Sequence, residues 1–312
     1  MLLIRWIPLR ASSLERSCYD RVALIALLTL TPLAAANIVA VGPEGELDKK
    51  PLMTRDTARA LCAIGDLHGD EAQAMRALHL CEAVDENGAW VGGRMTVVQV
   101  GDVLDRGNAS VPLLERLWKL REDAAAAGGE FVLLLGNHEL LNMQGRTRFV
   151  HEGELETFGG GAKWKRAFDP KEGALGRRLA SQDAFAIRGE GGCRTLFIHG
   201  GLRSSLAAQY GSIDMLNLEM RAQLLSSGGE LLDVRNGPLW FRGYARPASA
   251  ALSEEAACVE LEATLAAVGD GAQRMAVGHN IVPWITSRCS GTLHLLDIGM
   301  SSAYSGDLTF RL

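Results

Sequence analysis

Val97-Val-Gln-Val-Gly-Asp-Val-Leu-Asp-Arg-Gly107 joins a short apolar run to a turn that carries two carboxylates and an arginine. An apolar run of this length, rich in valine and closed by glycine, is typical of a buried strand. Its polar residues follow the carboxyl end of the strand, where open α/β sheets place their binding sites. The stretch therefore predicts a strand over residues 96–100, with Asp102, Asp105 and Arg106 just beyond it.

The same pattern recurs along the chain. Four further apolar runs are each followed by Gly-Asp, Gly-Asn, His-Gly or Gly-His. They are residues 61–64, 131–135, 195–198 and 275–277. Helical spacing of apolar residues lies between them, as at Leu114, Leu117 and Trp118. Strand and helix therefore alternate in the first half, which favours βαβ units. Residues 147–188 are less regular and predict a mostly helical insertion beside the site.

The turns after these strands carry side chains that bind metal ions. Besides Asp102, they supply Asp66, His68, Asn137, His138, His199 and His279. Mixed oxygen and nitrogen ligands suit manganese, iron or zinc better than calcium. Two such ions need about eight to ten ligand atoms, so one carboxylate has to bridge them. A single Gly-Asp-x-His segment is more often only a turn, but five such motifs in one chain argue for a site.

The motifs resemble those of the phosphoprotein phosphatase family of metallophosphoesterases. Together with residues 97–107, Gly136-Asn-His-Glu-Leu-Leu-Asn142 and Leu296-Asp-Ile-Gly-Met-Ser301 are similar to the Shewanella-like protein phosphatases. The resemblance covers roughly residue 60 to the C-terminus and is weakest after Phe149. It implies an α/β (α+β) fold, the calcineurin-like four-layer α/β/β/α sandwich. It also implies hydrolysis of phosphomonoesters on serine, threonine or tyrosine of phosphoproteins, by attack of a hydroxide that bridges two metal ions.

The resemblance also implies a role for each matching residue. The metal ligands would be Asp66, His68 and Asp102 for one ion, with Asp102 bridging to a second ion held by Asn137, His199 and His279. His138, oriented by Asp105, would protonate the leaving alkoxide. Phosphate would be bound by Arg106, Asn137 and a second arginine. Arg242 matches the family pattern there, with Arg246 as its rival and Arg235 as a weaker alternative.

Two other functions remain open at this stage. The same chemistry could act on a nucleotide such as a dinucleoside polyphosphate, or the chain could be a non-catalytic phosphate-binding scaffold. The scaffold is disfavoured because every expected ligand and the acid His138 are present. Two divalent ions are expected, Mn²⁺ before iron or zinc. The preference between phosphotyrosine and phosphoserine or phosphothreonine depends on the insertion and does not follow from the motifs.

The N-terminus differs in kind from the rest of the chain. Residues 22–41 carry no charge and include Ala34-Ala35-Ala36, which resembles a small-residue cleavage site. We interpret residues 1–41 as a targeting segment: a secretory signal peptide, a signal anchor or an organellar presequence. Residues 42–57 then read as a linker and residues 58–312 as the catalytic domain. A location reached through targeting is expected over a plain cytosolic one, with any membrane contact made only by this segment.

Charge and cysteine content narrow the partners. The net charge is −5 and no lysine or arginine run stands out, so nucleic acid is not expected as a partner. The expected partner is a phosphoprotein, which binds to a monomeric catalytic domain.

None of the six cysteines forms a Cys-x-x-Cys pair. We expect free buried thiols, with disulfides as the alternative if the compartment is oxidising.

Overall fold

The computed structural model describes residues 22–23, 60–245 and 252–304. Two sheets form the centre of the molecule. The first has four parallel strands in the order in which they occur along the chain. They are β1 (Val22–Ala23), β2 (Leu61–Ile64), β3 (Thr96–Gln99) and β4 (Glu130–Leu133).

The second sheet is mixed and has the order β5-β6-β7-β9-β8. Its strands are β5 (Phe185–Arg188), β6 (Thr195–Ile198), β7 (Arg274–Val277), β8 (Thr286–Arg288) and β9 (Leu293–Leu295). β6, β7 and β9 are parallel, whereas β5 and β8 run antiparallel at the two edges. All five strands expected from the apolar runs are present, three of them with ends one or two residues from the predicted positions.

The two sheets pack face to face. Val98 and Val100 from the first sheet share an apolar cluster with Phe197 and Ala276 from the second. Val97 belongs instead to the larger cluster that the helices cover. Because successive side chains of a strand point to opposite faces, β3 contributes to both clusters.

Nine α-helices are described in these ranges: α1 (Glu71–Leu80), α2 (Ser110–Ala126), α3 (Asn137–Met143), α4 (Glu152–Phe158), α5 (Gly161–Phe168), α6 (Ala174–Ala180), α7 (Ser204–Tyr210), α8 (Ile213–Ser226) and α9 (Glu254–Val268). α2 packs on the first sheet, and α8 and α9 pack on the second. The layers are therefore helix, sheet, sheet and helix, which confirms the expected four-layer sandwich.

The insertion is helical, as predicted, but shorter than expected. α4, α5 and α6 occupy most of it, and α5 packs against both α3 and its two neighbours. The last four residues of the predicted range instead form β5, the edge strand of the second sheet. These four residues are too few for their apolar pattern to distinguish a strand from the end of a helix.

The expectation of free thiols is wrong for the described cysteines. Cys62 on β2 is bonded to Cys81 at the end of α1, and Cys258 on α9 is bonded to Cys289 after β8. Cys193 is also disulfide-bonded, so none of the described cysteines is free. Sequence spacing gave no sign of these pairs, because each partner is brought close by the packing of a helix on a sheet.

The predicted targeting segment and linker lie outside the described residues, apart from the two residues of β1. Within the described ranges, none of the helices combines the length and the apolar character that spanning a membrane requires.

Candidate metal centre

The carboxyl ends of β2, β3, β4, β6 and β7 point to one place between the two sheets. Each strand is followed by one or two of the residues predicted as metal ligands. All six of these are buried: Asp66, His68, Asp102, Asn137, His199 and His279. The sandwich thus brings together side chains separated by up to 213 positions in sequence.

Asp102 lies at the centre of the group. Its carboxylate is 3.7 Å from His68 Nε2, 3.3 Å from His199 Nε2 and 3.9 Å from His138 Nε2. Around Asp102, ligand-type atoms form two clusters to which it belongs: one with His68 and His138, the other with His199 and His279. A shared carboxylate between two clusters is the arrangement that two neighbouring cations require.

Asp66 and Asn137 lie beside these clusters. The Asp66 carboxylate is 4.0 Å from His68 Nε2 and accepts hydrogen bonds from the backbone N–H of His279 at 3.1 Å. Asn137 Oδ1 lies 2.9 Å from His199 Nε2. The ligands predicted for the first metal ion are Asp66, His68 and Asp102. In the structure, the ligand-type atoms of His68 and Asp102 cluster with His138 instead of Asp66.

Two glycines give the carboxylates room. A Cβ atom on Gly136 would collide with the side chain and the backbone nitrogen of Asp102, and one on Gly278 would collide with the Asp66 carboxylate. Both glycines belong to the motifs that follow strands. They are required for close approach of the chain to the ligands, because any larger residue would displace a carboxylate.

Glu139 holds the turn that carries Asp102. Its buried carboxylate accepts four backbone N–H groups, from Gly136 and Asp102 on one oxygen and from Val103 and Leu104 on the other, at 2.7 to 3.1 Å. Both oxygens face the protein backbone. Glu139 therefore orients the turn and is not directed at the predicted metal ligands.

The histidine side chains turn unprotonated nitrogens toward the centre. His68 Nδ1 bonds the carbonyl of Leu104 and His199 Nδ1 bonds that of Val100. Since a carbonyl only accepts, each Nδ1 carries the proton and each Nε2 offers a lone pair. His279 Nε2 is buried and has no hydrogen-bond partner among the described residues. A buried orphan nitrogen of this kind is expected where a metal ion binds.

The carboxylates repel one another in this arrangement. Burial raises the pKa of Asp66 well above its ordinary value, and the charges of Asp297 and Asp102 raise it further. Burial alone would also raise the pKa of Asp102, but the charges of His199 and His138 hold it well below the ordinary value. Burial lowers the pKa of His68 to about 3 and also lowers the pKa of His279, so these two imidazoles are neutral beside the buried acids. Carboxylates beside neutral imidazoles are a donor set that fits divalent metal ions.

His138 and Asp105 form a separate buried pair at the edge of the centre. Their Nδ1 and Oδ2 atoms are 2.6 Å apart. Burial lowers the pKa of His138, but the charge of Asp102 and the hydrogen bond to Asp105 outweigh burial, and the net effect raises it. Asn142 donates to the other oxygen of Asp105, and Trp164 of the insertion donates to Asn142. We did not identify Asn142 or Trp164 from the sequence as part of the site.

Arg106 is held between two aromatic rings. Its guanidinium carbon is 5.2 Å from the centroid of Phe149 and 5.0 Å from that of Tyr304. Its backbone N–H donates to the carbonyl of Phe149 at 2.8 Å. Such stacking suits arginine and leaves the planar fork available at one edge.

Arg106 and Arg242 both line a cavity of about 850 Å³ beside His279. Arg242 Nη1 donates to the His279 carbonyl at 3.1 Å and to Asn280 Oδ1 at 2.9 Å. Arg235 is exposed and does not line this cavity. Arg246 lies outside the described residues. Of the described alternatives for a second arginine, only Arg242 faces the site.

Asp297 was missed as a site residue. It is buried, and burial together with the neighbouring charge of Asp102 raises its pKa to about 6. It also adds to the charge that acts on Asp66. A signal was available, because Asp297 comes two residues after β9 in the same way that Asp66 follows β2.

Five residues of the site have left-handed backbone conformations. The φ angles are 46° for His68, 57° for Asp102, 72° for Asp105, 71° for Arg106 and 67° for His279. Residues other than glycine rarely adopt these angles, and each costs about 1–3 kcal/mol in an otherwise relaxed chain. The surrounding hydrogen bonds, including those of Glu139, hold the turns in place.

Comparison with known proteins agrees with this geometry. The family model described as calcineurin-like phosphoesterase matches residues 60–268. The chain is 33% identical to an uncharacterised protein of Schizosaccharomyces pombe, over 78% of this chain and 74% of that protein. It is 30% identical to Shewanella-like protein phosphatase 2 of Arabidopsis thaliana, over 82% of this chain and 75% of that protein.

A solved structure is also similar. It is the cold-active protein-tyrosine phosphatase of a psychrophilic Shewanella species, which superposes with a TM-score of 0.65 at 25% identity. The match covers 77% of this chain and 71% of that protein.

Proposed function

Since this chain belongs to the calcineurin-like phosphoesterase family and, within it, to the Shewanella-like protein phosphatases, we propose how its site hydrolyses phosphoprotein substrates. The chain is a metal-dependent protein phosphatase. The observation that carries the mechanism is the position of Asp102, which two clusters of ligand atoms share while His138 lies 3.9 Å away. The metal ligands and the proton donor are therefore close enough to act on the same phosphoryl group.

The six buried ligands are proposed to hold two metal ions. Asp66, His68 and Asp102 would hold one, and Asp102 would also serve the other, together with Asn137, His199 and His279. When bound, the two ions supply a nucleophile from water at neutral pH and neutralise charge on the phosphoryl group. The unpartnered Nε2 of His279 and the lone pair of His199 Nε2 beside Asn137 support this assignment. Mn²⁺ is proposed first, because carboxylate and amide oxygens accompany the imidazoles.

His138 is proposed to protonate the leaving oxygen. Asp105 accepts a hydrogen bond from Nδ1, which leaves Nε2 as the atom that faces the metal ligands. A proton on Nε2 can pass to the departing alkoxide or phenoxide as the bond to phosphorus breaks. Asp105 stabilises the positive charge that His138 carries before this transfer.

Arg106 and Arg242 are proposed to bind the phosphoryl oxygens, with Asn137 as a further polar contact. Both arginines face the same cavity, and a guanidinium presents paired N–H donors that match two oxygens of a phosphoryl group. Phe149 and Tyr304 restrict the Arg106 side chain on either side, so little conformational freedom is lost when the phosphoryl group binds.

The cavity supports an aryl phosphate as the preferred substrate. Its wall beside Arg242 is apolar and contains Ile281, Val282 and Pro283. We propose that a phosphotyrosyl ring contacts this wall, because the ring offers more apolar surface for burial than the short side chain of phosphoserine does. We expect phosphotyrosine to be hydrolysed faster than phosphoserine in peptides of otherwise equal sequence.

The test uses the full-length chain, loaded with Mn²⁺ in parallel with iron and zinc. Hydrolysis of a phosphotyrosine peptide, the matched phosphoserine peptide and diadenosine tetraphosphate is compared. We expect the phosphopeptides to give the higher kcat/KM and chelator treatment to abolish turnover. A preference for the dinucleotide would reject the assignment to phosphoproteins in favour of the nucleotide hypothesis. A phosphoserine preference would reject only the aryl specificity.

A further inference from the structure

A chain of buried hydrogen bonds leads from the insertion to the proton donor. Trp164 Nε1 donates to Asn142 Oδ1 at 2.6 Å, and Asn142 Nδ2 donates to Asp105 Oδ1 at 2.8 Å. The other oxygen of Asp105 is 2.6 Å from His138 Nδ1. Every member is buried, and Trp164 and Asp105 are both fully enclosed. Hydrogen bonds in such a low-dielectric setting strengthen one another.

From this chain we propose that Asn142 and Trp164 are positioning residues that hold Asp105, and through it His138, in the orientation that protonates the leaving group. The proposal deepens the proposed function and rests on it for the role of His138. It assigns to the insertion a part in the reaction that is separate from substrate contact.

The indole of Trp164 determines which way the Asn142 amide points. An indole N–H can only donate, so the atom of Asn142 that faces it has to be the oxygen. The amide nitrogen is then directed at two acceptors, the Asp105 carboxylate and the His138 carbonyl at 2.9 Å. Both of its protons are used, and a rotated amide would place a lone pair against the carboxylate.

Asn142 lies one helical turn after His138 on α3. Side chains four residues apart share a face of a helix, so both reach Asp105 from the same side. The backbone N–H of Asp105 donates to Ser110 Oγ at 3.0 Å, and its φ angle of 72° is left-handed. Asp105 is thus held at its backbone and at both carboxylate oxygens, which leaves a single direction for His138 Nδ1–H.

Trp164 is itself fixed by the insertion. Its ring stacks on Phe168 at 4.7 Å and meets Phe158 edge-on at 5.1 Å. Phenylalanine at position 164 would keep most of this apolar packing. The N–H is the one part of the side chain that the packing does not need, and it is directed at Asn142.

The chain also provides a matched control. Trp118 is buried in α2, and its Nε1 donates to Gln182 Oε1 at 2.6 Å. The bond has the same donor, the same kind of acceptor and the same length as the bond of Trp164. Within the described residues, the hydrogen bonds of Trp118 and Gln182 do not connect to Asp105. The guanidinium carbon of Arg178 lies 4.1 Å from the centroid of the Trp118 ring, a contact that phenylalanine can keep in weaker form. Trp118→Phe should therefore lose at least as much stability as Trp164→Phe and differ from it in catalysis.

The experiment compares p-nitrophenyl phosphate with phenyl phosphate, using the full-length Mn²⁺ enzyme. The nitrophenolate departs without protonation, whereas phenolate depends on the acid. We expect the ratio of kcat for p-nitrophenyl phosphate to kcat for phenyl phosphate to rise about tenfold in Asn142→Ala. This is less than the roughly hundredfold or more that a general acid contributes, because Asn142 only positions the acid. Trp164→Phe should raise it about threefold to tenfold with little change in KM, and Trp118→Phe should leave it at the wild-type value.

A second measurement needs no turnover. The proton shared by His138 and Asp105 should give a downfield imidazole resonance in the NMR spectrum of the metal-free protein. We expect this signal to shift or vanish in Asn142→Ala and Trp164→Phe and to persist in Trp118→Phe.

The outcomes separate the possible failures. The positioning role is wrong if Asn142→Ala lowers kcat for p-nitrophenyl phosphate and for phenyl phosphate by the same factor. It is also wrong if the resonance is unchanged in that variant. If the wild type hydrolyses neither ester, the proposed function fails and the resonance alone decides whether Asn142 and Trp164 hold the pair.

Discussion

Glutamine at position 139 should weaken the protein far more than its small change in shape suggests. Glu139→Gln keeps the length and the volume of the side chain but turns one acceptor oxygen into an NH₂ group. Either orientation of the amide is unfavourable. One places the NH₂ against the N–H groups of Gly136 and Asp102, and the other places it against those of Val103 and Leu104.

The size of the effect follows from the two bonds that any orientation loses. Hydrogen bonds to a charged group contribute about 1.5–3 kcal/mol each, so two of them amount to about 3–6 kcal/mol. Burial raises the pKa of Glu139, which means that the charged form is costly to bury and that a neutral side chain regains part of the loss. We expect the free energy of unfolding to fall by about 3 kcal/mol, near the lower end of that range.

Denaturant unfolding of the metal-free protein measures this change. The control is Glu156→Gln on the exposed side of α4, which should stay within about 0.5 kcal/mol of the wild type. Glu139→Gln should also lower kcat, because three of the four N–H groups belong to Asp102 or to a residue next to a proposed ligand. A destabilisation by Glu139→Gln no larger than that of the control would refute the argument that these N–H groups hold the turn.

Three further outcomes are expected. Asp102→Asn should lower kcat by more than about a hundredfold, which exceeds the effect of losing a residue that only supports a ligand. Circular dichroism should show that the fold is intact, and near wild-type turnover would exclude Asp102 as the shared ligand. Arg242→Ala should lower kcat/KM about thirtyfold, the equivalent of about 2 kcal/mol for a charged hydrogen bond, with Arg235→Ala unchanged; equal effects would reject Arg242. Burial and the charge of Arg274 lower the pKa of His294 to about 4. The unfolded chain therefore binds more protons than the folded one, and the free energy of unfolding should fall by up to about 3 kcal/mol as pH drops from about 6.5 to 4. A pH dependence of stability that is unchanged in His294→Gln would contradict this.

The strand ends were the most predictable part of the molecule. Residues 61–64 and 195–198 were predicted as strands with the bounds that the structure shows, and the buried runs could be recognised because glycine closes them. The buried aspartate, asparagine and histidine side chains beyond these strands were also predictable, because polar residues of these types rarely follow a buried strand for structural reasons alone.

Features that depend on distant contacts did not follow from the sequence. β8 and β9 are three residues each, and their pairing rather than their composition makes them strands. The disulfides join residues 19 and 31 positions apart, which no local pattern marks. Trp164 looked like one apolar residue of a helical insertion, and its indole N–H acquires a role only once α5 packs on α3.

The left-handed turns at the centre bear on attempts to make this protein more heat-resistant. Glycine adopts such angles without a steric penalty, so Asp102→Gly or Arg106→Gly would relieve the backbone at positions that the proposed mechanism uses. A screen for thermal tolerance alone would therefore favour variants that have lost their activity. Because the proposed mechanism needs both side chains, engineering of this protein should leave the turns unchanged and seek added stability on the outer helices.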